Sequence, residues 1–249
     1  MSDERRVAVN EIAPGIHRIA THHEPWRCSV NQYVVGGARP TLVATGLRQH
    51  FSTTWGALAE VLDPTTLHYI VIPHFAADEC GALNDFLARL PNATVLGSAR
   101  TVLTSLVDFA SRAPRGVCDG EVIDTGDHAL RVIEAPYVPA WDGIVLADER
   151  SRVVFTADLF GQPGMGEPLT REDRGALAAQ LYGIFHGAPP ETYLARLLDR
   201  LEAFAPEIIA PGHGSALGGP LTPYARAMRA LASESLATRA VPEQTAALR

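Results

Sequence analysis

Lysine is absent from this 249-residue sequence, and all 21 basic side chains are arginine. Chemistry that needs a lysine amine, as a Schiff base or as a general base, is therefore excluded. The basic residues form no cluster, and 28 acidic residues bring the net charge to −7. A surface that binds nucleic-acid phosphates needs an excess of positive charge, so we expect no nucleic acid as partner.

Cysteines are few and long apolar runs are missing. The three cysteines are odd in number and contain no C-x-x-C pair, which argues against a disulfide framework and fits a reducing compartment. The N-terminus has no apolar signal core, and no apolar run approaches the roughly 18 residues of a membrane span. We therefore expect a cytoplasmic protein that contacts no membrane. Apolar residues make up 47% of the chain, enough for a sizeable core.

The hydrophobic pattern predicts one α/β domain over residues 1–249, because no Pro/Gly-rich linker divides the chain. In the first half, apolar strands alternate with helical segments such as 51–62, for which Ser52 or Thr53 is the expected cap. This alternation predicts parallel βαβ units. Short strands with polar turns in the middle predict antiparallel hairpins. Further helices follow, the last at about 222–238, and the tail is expected to fray.

Side chains that can bind metal ions follow three apolar strands. The strand LHYIVIP leads to His74, Asp78 and Glu79, the strand VVFTAD ends in Asp158, and the strand EIIAPG leads to His213. Strand ends meet at one edge of an α/β sheet, so these side chains are expected to lie together. Each one alone also has a structural explanation, since acids cap helices and histidines occupy turns. Together they predict a metal or acid–base site.

These residues resemble the oxygen-reductase core of flavodiiron proteins and their stand-alone di-iron relatives, which have the metallo-β-lactamase fold. The similarity extends from about Ile16 to Leu217 and includes the run GALNDFLARLPNATVLGSA and the phrases DGEVIDTG and TADLFG. It implies an α/β fold, a four-layer αββα sandwich in which two mixed sheets are flanked by helices. It also implies oxygen-linked oxidoreductase chemistry and a homodimer.

The chain departs from the family pattern at several ligand positions. The family's first motif is His-x-Glu-x-Asp-His, and here it is HFAADE from His74, so that Ala76 replaces the Glu and Glu79 the last His. In the second motif, a His before Trp-Pro-Asp, Pro139 stands at the His position. Ala44 replaces the Asp of the usual Leu-Ile-Asp-Thr-Gly.

The resemblance implies that the losses fall mainly on one of two iron positions. That position keeps only His74 among its unshared ligands. The other position maps to Asp78, Glu79, Asp158 and His213, which can all bind metal. We therefore expect one divalent metal, Fe(II) first and Mn(II) or Zn(II) as alternatives, because oxygen donors dominate the set. A protein without metal is a further alternative, and no flavin domain is expected.

Three residues beside the altered position are candidates for catalysis. His74 is a candidate acid or base, or a vestigial histidine bonded to a neighbour. Tyr137 and Asp142 flank the missing His and could line a substrate pocket.

Two further segments could reach the mouth of the site. His22 and His23 are additional ligand candidates, although a His-His-Glu loop is more often solvated. Tyr182 and His186 lie one turn apart on a predicted helix. The stretch GQPGMGEP after Asp158 is expected to be a mobile loop.

The main functional hypothesis is a mononuclear iron or manganese oxidoreductase or oxygenase that acts on a small organic substrate. An alternative is a metal-free acid–base enzyme, or a small-molecule binding protein, that uses the emptied position as its pocket. A zinc hydrolase is a lower alternative. That chemistry usually needs His-x-His-x-Asp-His to generate hydroxide, and Ala76 and Glu79 remove two of those histidines.

Overall fold

The computed structural model describes the backbone of residues 7–240 and the side chains of residues 7–233. The tail that was predicted to fray, residues 241–249, lies outside the described residues. Within the described part, two mixed sheets of seven strands each form the centre of the fold, and helices lie on the outside. The predicted fold class is therefore confirmed.

The first sheet contains the N-terminal strands in chain order. Its first four strands pair antiparallel, and its fourth to seventh strands pair parallel. Several of these strands are buried on both faces, which explains their continuous apolar runs. The strands are β1 (Val7–Ala13), β2 (Ile16–His23), β3 (Cys28–Val35), β4 (Thr41–Val43), β5 (Tyr69–Ile72), β6 (Thr94–Ser98) and β7 (Arg115–Val117).

The second sheet is formed by the rest of the chain. It begins with the predicted run of antiparallel hairpins and then crosses over to a parallel strand. The strands are β8 (Val122–Asp124), β9 (Ala129–Glu134), β10 (Ile144–Asp148), β11 (Val153–Ala157), β12 (Leu169–Thr170), β13 (Ile208–Pro211) and β14 (Ala216–Gly218). Their order across the sheet is β12-β14-β13-β11-β10-β9-β8.

Helices cover the outer faces of both sheets. A π-helical turn, Val102–Leu106, joins two short helices into one continuous helical segment. None of the helices in the described residues is long and apolar enough to cross a membrane. The helices are α1 (Phe51–Val61), α2 (Ala77–Cys80), α3 (Leu83–Arg89), α4 (Ala99–Thr101), α5 (Val107–Phe109), α6 (Gly175–His186), α7 (Glu191–Phe204) and α8 (Thr222–Ala240).

Three apolar layers hold the sandwich together. One lies between the sheets, where Tyr33 of the first sheet meets Phe155 of the second with ring centroids 5.3 Å apart. A second packs α1 and α3 on the first sheet, and a third packs α6, α7 and α8 on the second. Burial of this apolar surface is the main favourable term in folding.

One local prediction is wrong. Helix α1 follows His50, and neither Ser52 nor Thr53 caps it through a side chain. The helix instead continues from a short 3₁₀ turn, Arg48–His50, which already orients the first backbone amides.

Candidate metal centre

The predicted ligands meet where strands of both sheets end. His74 follows β5, and Asp78 and Glu79 lie on the one-turn helix α2. Asp158 follows β11, and His213 follows β13. All five side chains are buried or nearly so. The site therefore lies at the common edge of the two sheets, as the strand-end pattern predicts.

The five side chains form two groups that share one carboxylate. The first group is His74, Glu79 and Asp158, and the second is Asp78, Asp158 and His213. Within each group the candidate ligand atoms all lie within 4.8 Å of one another. The structure thus places Glu79 beside His74, whereas the resemblance assigns Glu79 to the other metal position.

The second group is oriented by the backbone beneath it. His213 donates its Nδ1 hydrogen to the carbonyl oxygen of Ser29 at 2.7 Å. Its Nε2 therefore faces the carboxylates, 3.2 Å from Asp78 Oδ2 and 3.3 Å from Asp158 Oδ1. Gly161 lets the chain pass close to this imidazole, since a Cβ there would lie 3.2 Å from the His213 Cβ. A metal-binding histidine usually donates a hydrogen bond from the ring nitrogen that does not bind the metal, and this bond fixes the orientation of the ring.

The distances between side chains in the first group are longer than those in the second. His74 Nε2 lies 3.4 Å from Asp158 Oδ2, and His74 Nδ1 lies 3.9 Å from Glu79 Oε1. Two buried polar atoms of this group, His74 Nδ1 and Glu79 Oε2, have no hydrogen-bond partner. Buried polar atoms are normally paired, so these atoms fit ligands of a cation.

The charges of these side chains depend on one another. Burial raises the pKa of Glu79 to about 8, against the opposing effect of His74. Burial alone would lower the pKa of His74, but the surrounding carboxylates, Asp158 foremost, together outweigh it and raise that pKa to about 10. Burial would likewise raise the pKa of Asp158, but the neighbouring imidazoles, His74 foremost, hold it well below its usual range. Metal ligands must be deprotonated, so a divalent cation would replace protons on these imidazoles.

The donor set fits a metal that prefers oxygen and imidazole. The two groups contain three carboxylates and two imidazoles and no thiol. The Cys80 thiol donates to the Ala76 carbonyl oxygen, and burial raises the pKa of that thiol to about 12. Such a set suits Fe(II) or Mn(II), and Zn(II) also accepts it.

The two other catalytic candidates lie outside these groups. The Asp142 carboxylate accepts hydrogen bonds from the Thr101 hydroxyl at 2.9 Å and from the Phe75 backbone amide at 3.2 Å. It therefore positions the segment that carries His74. Tyr137 is 45% exposed, and its ring packs against Tyr193 at the rim.

The additional ligand candidates lie at the mouth. His22 donates a hydrogen bond from Nε2 to Glu24 Oε2 at 3.0 Å. His23 Nδ1 lies 3.2 Å from His50 Nε2, and a cavity of about 410 Å³ opens beside these two rings. In the described part of the chain, neither His22 nor His23 belongs to a metal-ligand group.

Two aromatic side chains lie beside His213, and one further histidine reaches the site. The rings of Trp26 and Phe185 lie 6.1 and 6.2 Å from that of His213. His186, on α6, places its Nε2 3.1 Å from Asp158 Oδ2. Phe185 was not predicted from the sequence, because an aromatic residue on a helix carries no ligand signal.

Hydrogen bonds hold the loop after Asp158 in place at several points. Gly164 pairs with both neighbours of Cys28, accepting from the Ser29 amide and donating to the Arg27 carbonyl, each at 2.9 Å. The buried Arg18 guanidinium donates to the Met165 carbonyl oxygen at 2.5 Å. These bonds position the loop beside the metal centre.

The fold and this site define a protein of the metallo-β-lactamase superfamily with a flavodiiron-like core. The chain belongs to the family described as ODP family beta lactamase, whose model matches residues 28–214. The resemblance stated from the sequence is thereby confirmed.

Relatives of this chain are larger flavoproteins. The type A flavoprotein fprA of Rhodobacter capsulatus is 29% identical over 254 residues, which cover 94% of this chain and 58% of that protein. Across the curated relatives that it matches first, the chain spans 33% to 58% of their length.

Solved structures show the same fold. Rubredoxin oxygen:oxidoreductase of the anaerobe Desulfovibrio gigas superposes with a TM-score of 0.79 at 20% identity, over 92% of this chain and 62% of that one. The metal-soaked Flv1 flavodiiron core of Synechocystis sp. PCC6803 superposes with a TM-score of 0.81 at 22% identity, over 93% of this chain and 62% of that one. At these identities the likeness shows the fold alone.

Proposed function

We propose that this chain is a metal-dependent oxidoreductase that acts on a small substrate. The observation that carries the proposal is the buried pair of ligand groups joined by Asp158. Three carboxylates in one buried site are costly without a cation, by several kcal/mol per ion. We assign at least one divalent ion, Fe(II) or Mn(II), to Asp78, Asp158 and His213.

Different residues of the chain would have different roles at such a centre. The bound ion would supply redox chemistry, which the surrounding side chains lack. His213 and Asp78 would orient it, and the Trp26 and Phe185 rings would limit the access of water. While no ion occupies the position at His74, this imidazole is proposed to hold or accept a proton at Nε2, next to Asp158.

Two further parts of the proposal concern the partners. The cavity of about 410 Å³ beside His23 and His50 is large enough to hold a small organic molecule. Oxygen-linked chemistry is also proposed, by analogy with the names of two solved proteins of the same fold, an oxygen:oxidoreductase and a flavodiiron core. A homodimer is also proposed, and light scattering of the purified protein tests it.

Metal analysis of protein purified without chelator or metal resin tests the proposal. We expect at least about one equivalent of iron or manganese in the wild type and a loss of it in the double variant Asp78→Ala/His213→Ala. The matched control is Asp108→Ala/His68→Ala, which changes an exposed Asp and an exposed His and should keep the metal.

Undetectable metal in the wild type after reloading with Fe(II) or Mn(II) would refute the proposal. It would favour a second candidate, a metal-free acid–base enzyme. One observation supports that candidate: burial raises the pKa of Glu79 to about 8, close to the value a general acid needs.

A further inference from the structure

His186 lies next to the metal centre without belonging to any of its sequence motifs. It is the last residue of α6, and its Nε2 is 3.1 Å from Asp158 Oδ2. Its side chain is 24% exposed, so it reaches the carboxylate from the solvent side. Gly187, with φ of 70°, ends the helix immediately after it.

The two oxygens of Asp158 face different imidazoles. Oδ2 is approached by His74 Nε2 at 3.4 Å and by His186 Nε2 at 3.1 Å. Oδ1 is approached by His213 Nε2 at 3.3 Å. A carboxylate with one oxygen directed to each of two ligand groups has the arrangement of a bridge between two metal positions.

The metal position at His74 has lost one carboxylate and one imidazole relative to the family pattern. Two residues from other places in the sequence now supply the same two chemical groups. By the resemblance, Ala76 stands where a carboxylate would be, and Pro139 where an imidazole would be. The structure brings the Glu79 carboxylate to the His74 side and the His186 imidazole to the same oxygen of Asp158. Two histidines and two carboxylates are therefore available in the neighbourhood of this position.

We infer that His186 is a metal ligand and that, with His74, Glu79 and Asp158, it completes a second metal position. The inference rests on the proposed function, since it assumes that the centre binds metal. His186 lies outside the compact group of His74, Glu79 and Asp158. The second position therefore requires a movement of the imidazole and binds its ion more weakly than the position at His213.

A ligand swap tests the assignment with Co²⁺ as the probe. In His186→Cys, a bound thiolate produces a thiolate-to-cobalt charge-transfer band in the near ultraviolet, which a residue that only positions Asp158 cannot produce. We expect this band in His186→Cys but not in the wild type or in the control His68→Cys, whose side chain is exposed at the far end of β5.

Titration gives an independent readout. The wild type should bind about two equivalents of Co²⁺, and His186→Ala about one, with the tighter ion retained. A positioning role would instead weaken binding by about 10- to 100-fold and leave the number of ions unchanged. That result, or Co²⁺ bound to His186→Cys without the new band, would overturn the assignment while the proposed function stands. No Co²⁺ bound by the wild type would overturn both.

Discussion

Asp158 is the residue on which the candidate metal centre depends. It belongs to both ligand groups, and three imidazoles lie within 3.4 Å of its oxygens. Its neighbours along the chain help to fix it, since the Gly212 amide donates to the carbonyl of Ala157 at 2.6 Å. A change at Asp158 would therefore affect both positions together.

Another buried carboxylate, which belongs to neither ligand group, shows how single residues support the fold. Asp148 is fully buried at the end of β10 and accepts a hydrogen bond from His128 Nδ1 at 2.7 Å. The Ser151 hydroxyl and the Ala129 amide donate to the same carboxylate. Burial would raise the pKa of Asp148, but the bonds from Ser151 and His128 hold it below its usual range.

Replacement of Asp148 by Asn should lower stability in a pH-dependent way. A depressed pKa stabilises the folded protein above the unfolded pKa of about 3.9, and this stabilisation is lost as pH falls through the folded pKa. We expect Asp148→Asn to cost about 1 to 3 kcal/mol at pH 7. Urea unfolding at pH 7 and at several values from 5 down to 3 measures it.

In the wild type, protonation of the Asp148 carboxylate at low pH should lower the free energy of unfolding. Asp148→Asn should not show this part of the decrease. Asp108→Asn, at an exposed position of α5, is the control and should follow the wild type throughout. Equal stability of Asp148→Asn and wild type at pH 7 would refute the role assigned to the buried pair.

At the scale of elements, the loop after β11 depends on a buried cation. Arg18, on β2, is 1% exposed, and it donates to the carbonyl oxygens of Met165 at 2.5 Å and Glu167 at 3.4 Å. Burial lowers its pKa, as it does for a cation removed from water. The guanidinium therefore holds the loop in place through these hydrogen bonds, although the burial of its charge is unfavourable.

Arg18→Met should loosen this loop more than it destabilises the protein. The variant loses two hydrogen bonds but also relieves the burial of a charge, so its free energy of unfolding should change by less than about 2 kcal/mol. Backbone amides of residues 163–167 should exchange at least about tenfold faster, because local opening needs less free energy. Hydrogen exchange followed by mass spectrometry measures both effects.

Arg39→Met is the control for this experiment. Arg39 donates to the Asp124 carbonyl oxygen at a turn of the second sheet, outside the loop. Its replacement should leave exchange at 163–167 unchanged. Unchanged exchange in Arg18→Met as well would show that the pairing of Gly164 with the Cys28 region is sufficient to order the loop.

At the scale of the whole molecule, the candidate centre joins the two halves of the chain. His74, Asp78 and Glu79 follow a strand of the first sheet, whereas Asp158 and His213 follow strands of the second. A metal ion bound by both sets would bind the folded protein far better than the unfolded chain. Its binding free energy would then contribute directly to the stability of the sandwich.

Addition of Mn²⁺ should therefore raise the melting temperature of the whole domain. At a free concentration of about 1,000 times Kd, one ion adds about 4 kcal/mol to the free energy of unfolding. Calorimetry with Mn²⁺ and with EDTA measures the shift. Asp78→Ala/His213→Ala should lose most of the shift and Asp108→Ala/His68→Ala should keep it. An equal shift in both would mean that Mn²⁺ binds elsewhere.

The sequence by itself determined the strands, the layered fold and the edge at which the ligands meet. Strands such as β5 are buried on both faces, so their continuous apolar runs identify them without knowledge of their neighbours. The strand ends then mark His74, Asp158 and His213 as neighbours, since parallel strands end at one edge. The N-terminal strand β1 and the short strands β7, β12 and β14 were missed, and the short ones have too few residues for a periodic signal.

Only the tertiary structure decided which ligands lie side by side. Asp78 and Glu79 are adjacent on α2, and adjacent helical residues point in different directions, so one reaches His213 and the other His74. His186 lies 28 residues beyond Asp158 in the sequence, and it meets that carboxylate because α6 packs against the second sheet and α8. Such a contact depends on the packing of a whole helix, which no local spacing in the sequence encodes.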